Sequence, residues 1–175
     1  KGCIVASNHT SYLDPPMLGS YIATKLRIKV HYLGKEELFK NFIGKILYKS
    51  FETIPVDTTG KHKSWLRCAL KYIKKKEIIG IFPEGGIKTK KVPQLAPFKD
   101  GAFIMAIKKQ IPILPVSLLG AYQIMKGSFF ISRSPCEIVC HTSISPKGYK
   151  KKDLEKFKNK CYNVLQNELN KSYNE

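Results

Sequence analysis

Apolar positions along this chain come in short bursts separated by polar loops, and the bursts alternate between two periods. Cys3-Ile4-Val5-Ala6-Ser7, Glu77-Ile78-Ile79-Gly80-Ile81-Phe82 and the run Ile111 to Leu119 are near-continuous apolar stretches, the pattern of strands buried on both faces. Ile28 to Leu33 alternates apolar with polar and predicts another strand. Thr53-Ile54-Pro55-Val56 predicts a short edge strand, because Pro55 has no amide hydrogen to give a ladder. Glu137 to His141 predicts a further strand.

The intervening segments carry apolar residues three and four apart. Asp14-Pro15-Pro16 starts a helix with an acidic cap and proline in the first turn, and Met17, Leu18, Tyr21 and Ile22 follow. One helix is predicted from Lys35 through Phe39, Phe42, Ile43, Ile46 and Leu47. Another begins at Ser64, carries Trp65 on its core-facing stretch with Leu66, Leu70 and Ile73, and closes on Lys74-Lys75-Lys76, a charge run that complements the helix dipole. Gly101 to Lys109 and a C-terminal segment with Leu154, Phe157, Cys161, Val164, Leu165 and Leu169 complete the set. Strands alternating with helices predict an α/β fold with a mostly parallel central sheet flanked by helices. No repeat, low-complexity tract or linker interrupts residues 1–175, so one domain is expected.

Composition sharpens this picture in two ways. A hydrophobic fraction of 43% with 11% aromatics excludes a disordered chain. The net charge of +18 is carried almost wholly by lysine, since Arg27, Arg67 and Arg133 are the only arginines. Lysine is a hydrated point charge, suited to long-range attraction towards an anionic membrane surface, nucleic acid or phosphorylated substrate rather than to close bidentate recognition. Scarce arginine and the lack of a recognised motif argue against a nucleic-acid-binding module. The five cysteines are scattered without a Cys-x-x-Cys pair and read as free, mostly buried thiols. No apolar window is long enough to span a bilayer. The chain begins almost inside its first strand, which reads as a piece trimmed of an N-terminal segment.

The candidate chemistry lies in Ser7-Asn8-His9-Thr10-Ser11-Tyr12-Leu13-Asp14, where the first strand runs into a loop. Five residues rotate a helix by about 500°, so a helix would put His9 and Asp14 on different faces. A turn brings them together, with Asp14 on one ring nitrogen of His9 and the other nitrogen free to act as a base. A second loop, Pro83-Glu84-Gly85-Gly86, follows another buried strand; ligands in such sheets bind outside the carboxyl ends of strands. His31, His62 and His141 lack a nearby carboxylate pattern and read as surface or structural.

Asn8-His9, four residues and Asp14, followed by Phe82-Pro83-Glu84-Gly85, resemble the glycerolipid acyltransferases of the lysophosphatidate acyltransferase type. Gly34-Lys35-Glu36-Glu37-Leu38 with Ile54-Pro55-Val56-Asp57, and Ile111 to Val116, sit where that family has two further blocks. The resemblance implies that His9 takes the proton from a hydroxyl of 1-acylglycerol 3-phosphate as it attacks an acyl thioester, acyl-CoA or acyl-carrier protein, to give phosphatidate. Asp14 would orient the imidazole, and backbone amides around Gly85 and Gly86 would stabilise the oxyanion. No metal or other cofactor is implied. The expected setting is the cytoplasmic face of a membrane, reached in this family through an N-terminal membrane-associated segment.

Glu84 is expected to arrange the acceptor site. The family has an arginine closing its second block and another after Phe-Pro-Glu-Gly; here those places hold Thr58 and Ile87, and Gly86 stands for the usual threonine. Lys35, Lys61 and Lys88 are the nearest replacements for the missing charge. The departures keep open a same-family enzyme with another acceptor, such as glycerol 3-phosphate, another lysophospholipid or a lipid amine.

Overall fold

Nearly every predicted burst becomes an element in the computed structural model, which describes residues 2–40, 42–50, 52–57, 59, 64–88, 94–124 and 133–174. In chain order these are β1 (Cys3–Ser7), α1 (Asp14–Leu26), β2 (Val30–Lys35), α2 (Phe42–Ser50), β3 (Ile54–Val56), α3 (Ser64–Lys74), β4 (Ile78–Ile81), α4 (Gly101–Lys109), β5 (Ile113–Leu119), α5 (Ala121–Ile124), β6 (Glu137–Cys140) and α6 (Leu154–Asn174). The architecture is α/β, with mostly parallel strands flanked by helices. Two compact units share these elements: residues 1–3 with 15–81, and residues 4–14 with 82–175.

In the first unit β2 lies between β3 and β4, and both pairings are parallel. All four residues of β4 are buried, as its unbroken apolar run requires. Gly80 is needed there because a Cβ would fall 2.7 Å from the ring of Tyr32. The Tyr32 hydroxyl donates to the Pro15 carbonyl at 2.7 Å, which pins the start of α1 to β2, and burial pushes its pKa up. Pro55 stands exposed on the edge strand β3, where its missing amide costs nothing.

Two expectations need correction in this unit. The strand predicted from Ile28 starts at Val30, because Arg27 turns out of α1 with φ 53 while its amide still bonds the Ala23 carbonyl. The single helix predicted from Lys35 is instead a 3-10 turn, Glu36–Phe39, followed by α2; Lys35 remains extended at the end of β2, leaving room for one tight turn. His31, which reads from the sequence as surface or structural with no carboxylate pattern near it, is structural. It is buried, stacked on Tyr72 with ring centroids 3.5 Å apart, and its Nε2 lies 2.8 Å from Oε2 of Glu77. Its Nδ1 is 3.1 Å from Oε2 of Glu52 but makes no hydrogen bond among the described residues. Parallel pairing of Val30 with Ile78 sets His31 beside Glu77, a proximity that sequence spacing does not reveal.

In the second unit β5 pairs in parallel with β1, from Ile4↔Ile113 to Ser7↔Val116, and antiparallel with β6. Phe157, Cys161, Leu165 and Leu169 fall on one stripe of α6 and are buried against β5 and α4. Phe103 of α4 meets Phe157 edge-on at 6.3 Å. Burial pushes the Cys161 thiol up to about 12. Cys136 and Cys140 are exposed, contrary to the expectation of mostly buried thiols, because β6 is an edge strand. Among the described residues no helix is long and apolar enough to cross a membrane.

After β5 the chain turns at Gly120, whose φ is 78 and whose amide donates to the Tyr173 hydroxyl at 2.8 Å. A Cβ there would collide with the carbonyl oxygen of Pro135. Gly120→Ala therefore combines positive-φ strain with overpacking, about 2–3 kcal/mol together. A thermal melt should show Tm lowered by about 5–10 °C; an unchanged Tm would show that the turn accepts a side chain without strain.

Candidate active site

The site is assembled wholly from the second unit, and it begins where β1 ends. Asn8 is fully buried and its side chain stands in for a peptide: Nδ2 donates to the Leu118 carbonyl at 2.9 Å and Oδ1 accepts from the Leu118 amide at 2.8 Å. The amide side chain thus continues the β1–β5 ladder while the backbone leaves it. That departure is what presents His9.

The turn from Thr10 to Asp14 closes through the Asp14 amide, 3.2 Å from the Ser11 carbonyl. Asp14 is fully buried at the start of α1, where the helix dipole favours a negative charge. Its Oδ2 accepts from the amides of Thr10 at 2.7 Å and Ser11 at 2.8 Å, and lies 2.9 Å from Nδ1 of His9. An ionised carboxylate offers no hydrogen, so Nδ1 carries the proton and Nε2 is left with its lone pair. Asp14 Oδ1 is buried without a hydrogen-bond partner among the described residues, so the carboxylate concentrates its bonding on Oδ2. The predicted turn and the His9–Asp14 pairing are both present.

The second loop holds the first in place. The Phe82 ring stacks on the imidazole of His9 at 4.2 Å with an interplanar angle of 23°. Glu84 is fully buried; its Oε1 accepts from the His9 amide at 2.8 Å and its Oε2 from the Ala96 amide at 2.9 Å. A charge buried this deeply is tolerated only with strong donors on its oxygens. One carboxylate therefore fixes His9, the Pro83–Gly86 turn and the segment around Ala96. The His9 side chain, 14% exposed, is restrained by a stack, a carboxylate and its own backbone.

Not all the predicted binding residues share this geometry. Gly85 and Gly86 adopt φ 74 and 143, conformations that favour glycine. The Gly85 amide is committed to the Phe82 carbonyl at 2.9 Å, which removes it from the expected oxyanion donors; the Gly86 amide has no partner among the described residues. Lys88 is exposed on the same loop, Lys35 is half-buried at the end of β2 in the first unit, and Thr58 and Lys61 lie outside the described residues. Sequence reading missed the Phe82 stack, the Ala96 amide, and Lys99, whose amide donates to the Pro83 carbonyl at 2.8 Å. The Phe82 stack joins two recognised motifs across the fold, whereas Ala96 and Lys99 come from a segment outside them.

A buried carboxylate, an oriented imidazole whose second nitrogen is unengaged among the described residues, and a glycine turn in the same unit make a candidate general-base site. A family model described as Acyltransferase matches residues 1–119. A 1-acyl-sn-glycerol-3-phosphate acyltransferase of Bacillus subtilis (strain 168) is 34% identical over 121 residues, covering 69% of this chain and 57% of that protein. The 1-acyl-sn-glycerol-3-phosphate acyltransferase beta of Homo sapiens is 29% identical, over 75% of this chain and 47% of that protein. The crystal structure of the 1-acyl-sn-glycerophosphate (LPA) acyltransferase of Thermotoga maritima superposes with a TM-score of 0.75 at 24% identity, covering 98% of this chain and 66% of that one, and so shares the fold. The chain belongs to the Acyltransferase family. It spans only part of these relatives, 57% of the Bacillus protein and 47% of the human one.

Asp14→Asn keeps the shape of the side chain but replaces the charge and lets a donor face Nδ1. Acyl transfer should fall by about three to four orders of magnitude in kcat, as expected for loss of the correct tautomer. Steady-state kinetics with circular dichroism as a folding control decides this; a fall of less than about tenfold would mean Asp14 only caps α1.

Proposed function

We propose that this chain transfers a fatty acyl group from acyl-CoA or acyl-carrier protein to the free hydroxyl of 1-acylglycerol 3-phosphate, giving phosphatidate. The observation that carries this reading is the hydrogen bond of 2.9 Å from His9 to a fully buried Asp14, with Nε2 unengaged among the described residues. The naming of the relatives as 1-acyl-sn-glycerol-3-phosphate acyltransferases supports the choice of acceptor.

The steps follow from the geometry. Nε2 of His9 removes the hydroxyl proton as the acceptor oxygen forms its bond to the thioester carbonyl carbon, and Asp14 stabilises the imidazolium. The carbonyl electrons move onto oxygen, where the uncommitted Gly86 amide is the nearest candidate donor of the turn. Collapse of this intermediate breaks the carbon–sulfur bond, and the departing thiolate takes the proton from Nε2. The histidine is then restored. Glu84 acts one step removed, holding the His9 backbone in register with the turn.

This reading puts the reaction at the cytoplasmic face of an anionic membrane, a surface into which a lysophospholipid acceptor and its product would partition. The +18 charge supports this, each lysine near such a surface being worth about 1 kcal/mol. Tyr12, 77% exposed three residues after His9, and Ile87, 37% exposed three residues after Glu84, offer apolar contact beside the site.

His9→Ala should abolish acyl transfer while leaving Tm and binding to anionic vesicles as in the unsubstituted protein. Substantial residual turnover would overturn the proposed base. A panel of acceptors, including glycerol 3-phosphate, other lysophospholipids and lipid amines, assayed with acyl-CoA and acyl-carrier-protein donors, identifies the preferred pair. Vesicle binding should weaken as salt rises.

A further inference from the structure

The acceptor proposed above carries a phosphate, yet the two positions where arginine is expected hold Thr58 and Ile87. Lys99 is delivered to the glycine turn from another segment. That segment is clipped to the turn at two points, by the Ala96 amide on Oε2 of Glu84 at 2.9 Å and the Lys99 amide on the Pro83 carbonyl at 2.8 Å. The clips lay the Lys99 side chain across Gly85. A Cβ at Gly85 would fall 2.6 Å from Cε, 2.9 Å from Cδ and 3.1 Å from Nζ of that lysine.

The ammonium is also open to a ligand. Lys99 is exposed, and among the described residues no carboxylate pairs with it. The neighbouring Asp100 is engaged by Lys158 at 2.7 Å. Beside it, among the described residues, nothing lies within 4 Å of where a Cβ on Gly86 would stand.

We propose that the ammonium of Lys99, lying over Gly85, binds the phosphate of the acceptor and supplies the positive charge that Thr58 and Ile87 do not. This rests on the acceptor being a lysophospholipid with a phosphate headgroup. Gly85 gains a second role by it: besides accepting φ 74, it leaves room for this stem, which a Cβ there would displace. A lysine recognises charge through three rotatable donors rather than the fixed planar fork of N–H donors of a guanidinium, so headgroup geometry matters less than headgroup charge.

The test compares Lys99→Met and Lys99→Arg with the unsubstituted protein, using 1-acylglycerol 3-phosphate and its dephosphorylated counterpart, monoacylglycerol, at saturating acyl-CoA. Lys99→Met should raise KM for the phosphorylated acceptor by about 10- to 100-fold, the usual effect of losing a hydrogen bond to a charged group. KM for acyl-CoA and the turnover of monoacylglycerol should be unchanged, and Lys99→Arg should recover most of the loss. If the unsubstituted protein prefers the phosphorylated acceptor and Lys99→Met keeps its KM, Lys99 is not the phosphate ligand and the acceptor assignment stands. Equal losses on both acceptors would likewise overturn it, showing that Lys99 only supports the loop. An unsubstituted protein that does not distinguish the two acceptors overturns the acceptor assignment and the role of Lys99 together.

Discussion

The buried carboxylate of Glu84 is the tie on which the site's geometry depends. It accepts the amides of His9 and Ala96 on its two oxygens, so three segments far apart in sequence share one charge with no exposure to water. Leaving a buried carboxylate without donors costs several kcal/mol, and that penalty is what forces the loops to converge. Asp14 works by the same physics on a smaller scale, gathering two amides and an imidazole onto Oδ2. Two negative charges are thus buried at the heart of a chain whose surface is strongly positive. The first holds the backbone of His9; the second holds its ring.

Rigid support leaves one freedom, the Nε2 edge of the imidazole. Phe82 closes one face, Asp14 fixes the tautomer, and Asn8 keeps the end of β1 satisfied while the chain turns away from the ladder. A base prepared in this way needs no reorganisation when a hydroxyl arrives, which is where preorganised sites gain their rate. In the proposed reaction the substrate would supply the nucleophile, and the site's task would be to bring a hydroxyl and a thioester carbonyl to the Nε2 of His9.

Much of this was legible in the sequence because it is local. The His9–Asp14 turn, the apolar run of β4, the α4 boundaries from Gly101 to Lys109 and the four-residue stripe on α6 all follow from spacing and turn chemistry. Errors came where tertiary pairing decides. The pairing of β2 with β4 places His31 against Glu77, and the persistence of β2 to Lys35 splits a predicted helix. The site shows the same divide. Its motif residues were found, but the Gly85 amide is spent on Phe82, and Lys99 reaches the turn through the bonds of Ala96 to Glu84 and of its own amide to Pro83. No local pattern encodes a contact made through a third residue.

The most direct measurement is the tautomer of His9 in the folded protein, read by 15N NMR of the imidazole at a pH where it is neutral, with His9→Gln for assignment. Bonding to Asp14 predicts a hydrogen on Nδ1 and an unprotonated, pyridine-type Nε2. A spectrum showing the hydrogen on Nε2 would contradict the assignment of that nitrogen as the base.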